Sequence, residues 1–203
     1  LAKNGGCGVP TIKPWNMETI KEKLDLVKAA DPFAIAMDID GAGLPFLKNM
    51  TPPAGSKTVE ELQQIVAWAE KPFILKGIMT VAGAQKALEA GAKGIVVSNH
   101  GGRVLDQCPS SAEVLPAIAD AVGSKMTILV DGGIRSGMDV FKALALGADG
   151  VLIGRPFINM IYGAGAEGVK VYVEKLKAEL EDTMAMCGAH SLADIKRSMI
   201  YGY

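Results

Sequence analysis

Aromatic residues make up only 5% of the 203-residue chain, and histidine occurs just twice. Cysteine is scarce as well: Cys7, Cys108 and Cys187 are far apart, odd in number and form no C-x-x-C pair. That argues against a disulfide framework or a structural zinc site and leads us to expect a reducing, cytoplasmic setting. No apolar run reaches the roughly 18 residues needed to cross a bilayer, and the first residues lack a signal-peptide layout. Neither sign of charge dominates. Lys and Arg number 21 against 22 Asp and Glu, a net charge of −1, so there is no electrostatic case for nucleic acid or an anionic membrane as partner.

What the chain has is apolar content, 49% by residue, enough to bury a real core, and we expect one domain spanning residues 1–203. Leu1–Gly8 reads as a helix end with glycine punctuation, and Val9–Lys13 as a short, irregular strand. Asn16 can cap a helix over Met17–Ala30, and Phe33–Asp38 is a buried strand ending in a carboxylate. The stretch Ile39–Lys57 holds three prolines and little periodicity, so it reads as one long loop. From Thr58, which with Glu61 forms a capping box, apolar strands and amphipathic helices alternate. The strands are Phe73–Gly77, Gly94–Asn99, Thr127–Asp131 and Gly150–Gly154. The helices are about Thr58–Glu70, Val81–Ala90, Ser111–Val122, Gly137–Leu146, a short one near Pro156 and a long one over Ala166–Met186.

Strands separated by helices mean βαβ units and a parallel sheet. Ala87–Gly94 (A-L-E-A-G-A-K-G) and Ala143–Gly150 (A-L-A-L-G-A-D-G) are near-repeats, as a barrel of similar units leaves behind. The expected class is α/β, a (β/α)8 TIM barrel present as about six βα units. A closed barrel needs about 250 residues, so the units in deficit are expected from the N-terminal side.

Polar residues cluster where each apolar strand ends: Asp38, Lys76, Ser98 to Arg103, Asp131, Arg135 and Arg155. In a barrel that end is the active-site face. Ser98-Asn-His-Gly-Gly-Arg103 places a base and a planar cation on one flexible turn. Asp131-Gly132-Gly133-Ile-Arg135 and Gly154-Arg155-Pro156 each follow a strand and open a helix. Backbone N–H groups at a helix start, joined by an arginine, suit a phosphate.

These blocks resemble the C-terminal part of the FMN-dependent 2-hydroxy acid oxidases and dehydrogenases. S-N-H-G-G-R is the family signature. P-F-I-L-K-G, D-G-G-I-R-S-G, D-V-F-K-A-L-A-L-G-A and I-G-R-P match further blocks in order, from about Pro72 to Ile200. The resemblance implies FMN as cofactor and oxidation of a small 2-hydroxy acid of the lactate or glycolate kind. It also implies oxygen or a quinone as electron acceptor, and a homo-oligomer. It assigns His100 as the catalytic base, Asp38 as the carboxylate that orients it, and Arg103 as the group holding the substrate carboxylate. Lys76 and Ser98 would contact the flavin ring. Asp131, Gly132, Gly133, Arg135, Gly154 and Arg155 would hold its ribityl phosphate. Three departures stand out: Ala36 where many members have threonine, no second arginine in Asp40–Pro45, and no tyrosine in V-P-T-I-K-P. They leave room for a relative with a different substrate, or for a flavin-binding chain without turnover.

Overall fold

The computed structural model describes Lys3, Gly5 and residues 7–203; the helix end expected over Leu1–Gly8 lies largely outside them. Six strands form one sheet in the order β1-β2-β3-β4-β5-β6, with every neighbouring pair parallel. They are β1 (Thr11–Ile12), β2 (Ile35–Asp38), β3 (Phe73–Ile78), β4 (Gly94–Val97), β5 (Thr127–Val130) and β6 (Gly150–Val151). All residues of β2 and β4 are buried, the signature of parallel strands covered on both faces.

Helices connect the strands: α1 (Met17–Lys28), α2 (Pro45–Lys48), α3 (Val59–Ala69), α4 (Val81–Glu89), α5 (Ser111–Val122), α6 (Gly137–Ala145) and α7 (Arg155–Cys187). Each long connecting helix buries an apolar stripe at helical spacing, Leu62, Ile65 and Ala69 on α3 and Leu115, Ile118 and Val122 on α5. These stripes join Ile35, Phe73, Leu75, Ile95 and Ile128 of the sheet in one core. The Asn16, Thr58 and Ser110 side chains cap α1, α3 and α5. Helix α7 breaks at Ala164 and Gly165, whose backbones are non-helical, so the two expected helices are two arms of one element.

Two expectations are corrected. The outer strands are shorter than their apolar runs, Thr11–Ile12 against Val9–Lys13 and Gly150–Val151 against Gly150–Gly154. Both are edge strands, paired on one side only, so the ladder does not extend along the run. The stretch 39–57 is also far from featureless. A 3₁₀ turn (Ile39–Gly43) and α2 fold it onto a small apolar cluster of Leu44, Leu47 and Ala54 packed against Val104. Aliphatic burial, rather than periodicity, orders this segment, and it seats the segment against the turn after β4.

Candidate active site

The register of the sheet assembles the site. Asp38 lies opposite Lys76 across β2 and β3, and Val97 opposite Val130 across β4 and β5. The residues that follow, Ser98 and Asp131, therefore emerge side by side. The Lys76 Nζ donates to Ser98 Oγ at 3.0 Å and lies 3.6 Å from Asp131 Oδ2. Ser98, almost fully buried, accepts in turn from the His100 backbone N–H at 3.1 Å. That bond helps hold His100 in a left-handed conformation, with φ of 56°. Its ring is thereby turned back toward the sheet, where Nδ1 lies 3.0 Å from Asp40 Oδ2. Arg103, exposed, donates from Nε to the His100 carbonyl oxygen at 3.2 Å, so its guanidinium stays close to the histidine.

On the other side of the signature turn lies a cleft of about 220 Å³ lined by Gly101, Arg103, Asp131, Gly133, Arg135 and Arg155, among others. Gly132 and Gly133 have φ of +96° and +85°, a backbone that side-chain-bearing residues rarely adopt. Around Gly133 and Gly154 nothing would contact an added Cβ, so the backbone there is open to a ligand. Tyr172 of α7 donates to the Arg135 carbonyl at 2.9 Å and anchors that turn from behind. A larger cavity of about 650 Å³ sits elsewhere, between α6 and the end of α7, lined largely by apolar residues such as Met138, Phe141, Met186 and Tyr201. It contains none of the strand-end residues and is not the candidate site.

Most of the side chains expected at the site are therefore neighbours, but one assignment is corrected. The carboxylate hydrogen-bonded to His100 is Asp40, not Asp38. Asp38 Oδ2 is taken by Lys13 at 2.6 Å, an ion pair that ties β1 to β2. The 3₁₀ turn after β2 carries Asp40 back over the sheet, a local bend that strand-end reading does not anticipate. Lys13 and Gly77 were likewise missed. Ser111, at the start of α5, donates to the Asp131 carbonyl at 2.5 Å.

Strand-end groups converge beside two glycine turns and a cleft lined by Arg103, Arg135 and Arg155, at the end of the parallel strands where a (β/α) barrel carries its active site. Residues 16–202 match the model of the FMN-dependent dehydrogenases. The chain belongs to that family, and its fold is the family's (β/α) barrel, here as six strands with alternating helices. It is 45% identical over 146 residues to an L-lactate oxidase of Roseobacter sp. (strain GAI101), covering 72% of this chain and 40% of that protein. To the peroxisomal (S)-2-hydroxyacid oxidase GLO3 of Arabidopsis thaliana it is 48% identical over 144 residues, covering 71% and 39%. A crystal structure of mandelate oxidase superposes with a TM-score of 0.88 at 34% identity, covering 97% of this chain and 64% of that one. The chain thus spans about two fifths of the length of these curated relatives.

The family is FMN-dependent, and the residues present fit that cofactor. Asp131 Oδ1 is buried and has no hydrogen-bond partner, a free acceptor for a hydroxyl-bearing ligand. Arg135 and Arg155 are exposed beside open backbone at Gly133 and Gly154, a donor set suited to a phosphate. Among the described residues no helix is long and apolar enough to cross a membrane.

Proposed function

We propose that this chain carries the catalytic face of an FMN-dependent oxidoreductase that converts a small 2-hydroxy acid to the 2-oxo acid. The observation that carries the reading is His100 and Arg103 held together on one turn, beside the Lys76–Ser98–Asp131 cluster. The relatives support it, being named for L-lactate and 2-hydroxyacid oxidation, as does a mandelate oxidase variant solved with (S)-mandelic acid.

In this reading Arg103 grips the substrate carboxylate through its planar fork, which fixes the hydroxyl-bearing carbon beside His100. His100 accepts the proton that the substrate releases as its two electrons leave. FMN, when bound, supplies the two-electron acceptor, and oxygen or a quinone completes the cycle. Lys76 places a positive charge where the ring is to be held, and Ser98 orients that ammonium. Asp131, Gly132, Gly133, Arg135, Gly154 and Arg155 hold the ribityl chain and phosphate. We assign residues 1–203 to one FMN-binding domain, acting in a homo-oligomer in the cytoplasm.

A second reading, the same flavin chemistry on a different substrate, draws on the segment Asp40–Pro45, which carries no cation. Anaerobic addition of L-lactate, glycolate or L-mandelate to the purified flavoprotein separates the two. Bleaching of the flavin band by one of these acids is the expected result. Bound flavin that none of them bleaches favours the second reading. The His100→Gln variant should retain FMN and lose reduction by about 100-fold or more; reduction at the wild-type rate would remove His100 from the mechanism.

A further inference from the structure

In the proposed reaction one strand-end cation, Lys13, has no task. Ile12 pairs with Met37 and Met37 with Leu75, and all three turn into the core shared with the helices. Side chains alternate along a strand, so the next residues in line, Lys13, Asp38 and Lys76, share the opposite face as one row. Beyond Lys76 the β3–β4 register shifts at a bulge around Gly77, and Ser98 and Asp131 continue the rim. Lys13 therefore faces the same mouth as Lys76, two strands away. Its side chain is 33% exposed, against 4% for Asp38, so of the two partners it is the lysine that a ligand can reach.

An ammonium carries three N–H donors. Among the described residues the partner of Lys13 is Asp38 Oδ2, at 2.6 Å, which leaves two donors for a ligand. Asp38 in turn borders the base: one atom each of Asp38, Asp40 and His100 lies within 4.8 Å of the others. We propose that Lys13 is a specificity-determining residue and that the preferred substrate is a 2,3-dihydroxy acid, its C3 hydroxyl accepting from the Lys13 ammonium. The proposal rests on the reading of Arg103 and His100, which engage the carboxylate and the C2 hydroxyl and leave Lys13 as the donor for the substituent on C3. Charge decides what that substituent is. On this side of His100 one ammonium stands with two carboxylates, Asp38 and Asp40, and Asp40–Pro45 adds no cation, so a second carboxylate on the substrate would be repelled. A methyl or phenyl group would strip water from the ammonium and leave its donors unpaired. A hydroxyl adds no charge and accepts the bond. A site built to bind a hydroxyl rejects the analogue that lacks it far more strongly than an apolar pocket rejects an added one.

The test compares L-glycerate, L-lactate and L-malate, which differ only in what C3 carries, as anaerobic reductants of the flavin-loaded protein. In the wild type kcat/KM for L-glycerate should exceed that for L-lactate by about tenfold or more, with L-malate the poorest of the three. Lys13→Met keeps most of the aliphatic stem and removes the donors, and the ratio of glycerate to lactate should fall to near unity; Lys13→Arg, which restores a donor, should recover part of it. Loss of the β1 anchor alone would lower both rates together and leave their ratio intact, so the ratio separates specificity from structure. Equal use of glycerate and lactate by the wild type, a preference for malate, or a ratio unchanged in Lys13→Met would each overturn the proposal. Should Lys13→Met fail to fold, the order of the three acids on the wild type decides. Should none of them reduce the flavin, the proposed reaction falls, while their dissociation constants, read from the flavin absorbance on titration, still decide for or against Lys13 by the same order and the same loss of preference in the variant.

Discussion

A methyl group at position 77 has nowhere to go: the Asp40 carboxylate occupies the space, and the backbone conformation at φ +100° disfavours any side chain. Gly77→Ala should therefore cost roughly 2 kcal/mol or more of stability, from backbone strain plus displacement of Asp40. Urea unfolding of the two proteins measures it, and an unchanged midpoint would show that the bulge is not needed for the fold. At this scale the sequence was partly legible. An apolar run that stops at a charged residue marks a strand end whatever the neighbours do, which is why Lys76, Ser98 and Asp131 fall together as expected. D-I-D, in contrast, offers two carboxylates two residues apart. Which of them reaches His100 depends on a 3₁₀ turn and on a bulge in another strand, and neither has a local signature.

Helix starts were the most legible elements, because a cap is a short-range hydrogen bond between residues three apart. Ser136 opens α6 with a full capping box, its hydroxyl accepting from the Asp139 N–H while the Asp139 carboxylate accepts from the Ser136 N–H at 3.0 Å. The same carboxylate also accepts from the Arg135 N–H at 3.0 Å, so the cap stiffens the turn that carries Arg135. Burial opposes the charge on Asp139, but the hydrogen bonds from Arg135 and Ser136 win and hold its pKa below the ordinary 3.8. A depressed acid contributes stability that is complete above the unfolded value and is lost as pH falls through the folded one. The stability gap between wild type and Asp139→Asn should therefore be largest near neutral pH and narrow below about pH 4. Chemical denaturation at several pH values checks the sign, and a gap that widens in acid would contradict it. Ser136→Ala should cost about 1 kcal/mol at neutral pH. Strand ends at the sheet margins were less legible, since an apolar run says nothing of whether a partner strand continues beside it.

Across the whole molecule, stability and chemistry occupy different layers. The sheet and the inner faces of its helices hold one continuous apolar core, while the candidate site sits on the rim where the parallel strands end. The parallel order fixes that arrangement, since every strand points the same way and every strand end reaches the same rim. The terminal segment is fastened differently, by a bidentate pair between Arg197 and Asp120 on the exposed side of α5, at 2.8 and 3.1 Å. The pair lowers the pKa of Asp120 through the guanidinium hydrogen bonds, but both groups face solvent, where such pairs contribute little. Leu115, on the opposite face of the same helix, is fully buried. Leu115→Ala should cost about 2 to 5 kcal/mol, and Arg197→Ala should barely move the unfolding midpoint. Thermal unfolding of the two variants side by side provides the comparison. If Arg197→Ala proved the more damaging, the fold would depend on its tail, and the apolar layer beneath the strand-end rim could not be what holds His100, Lys76 and Asp131 in register.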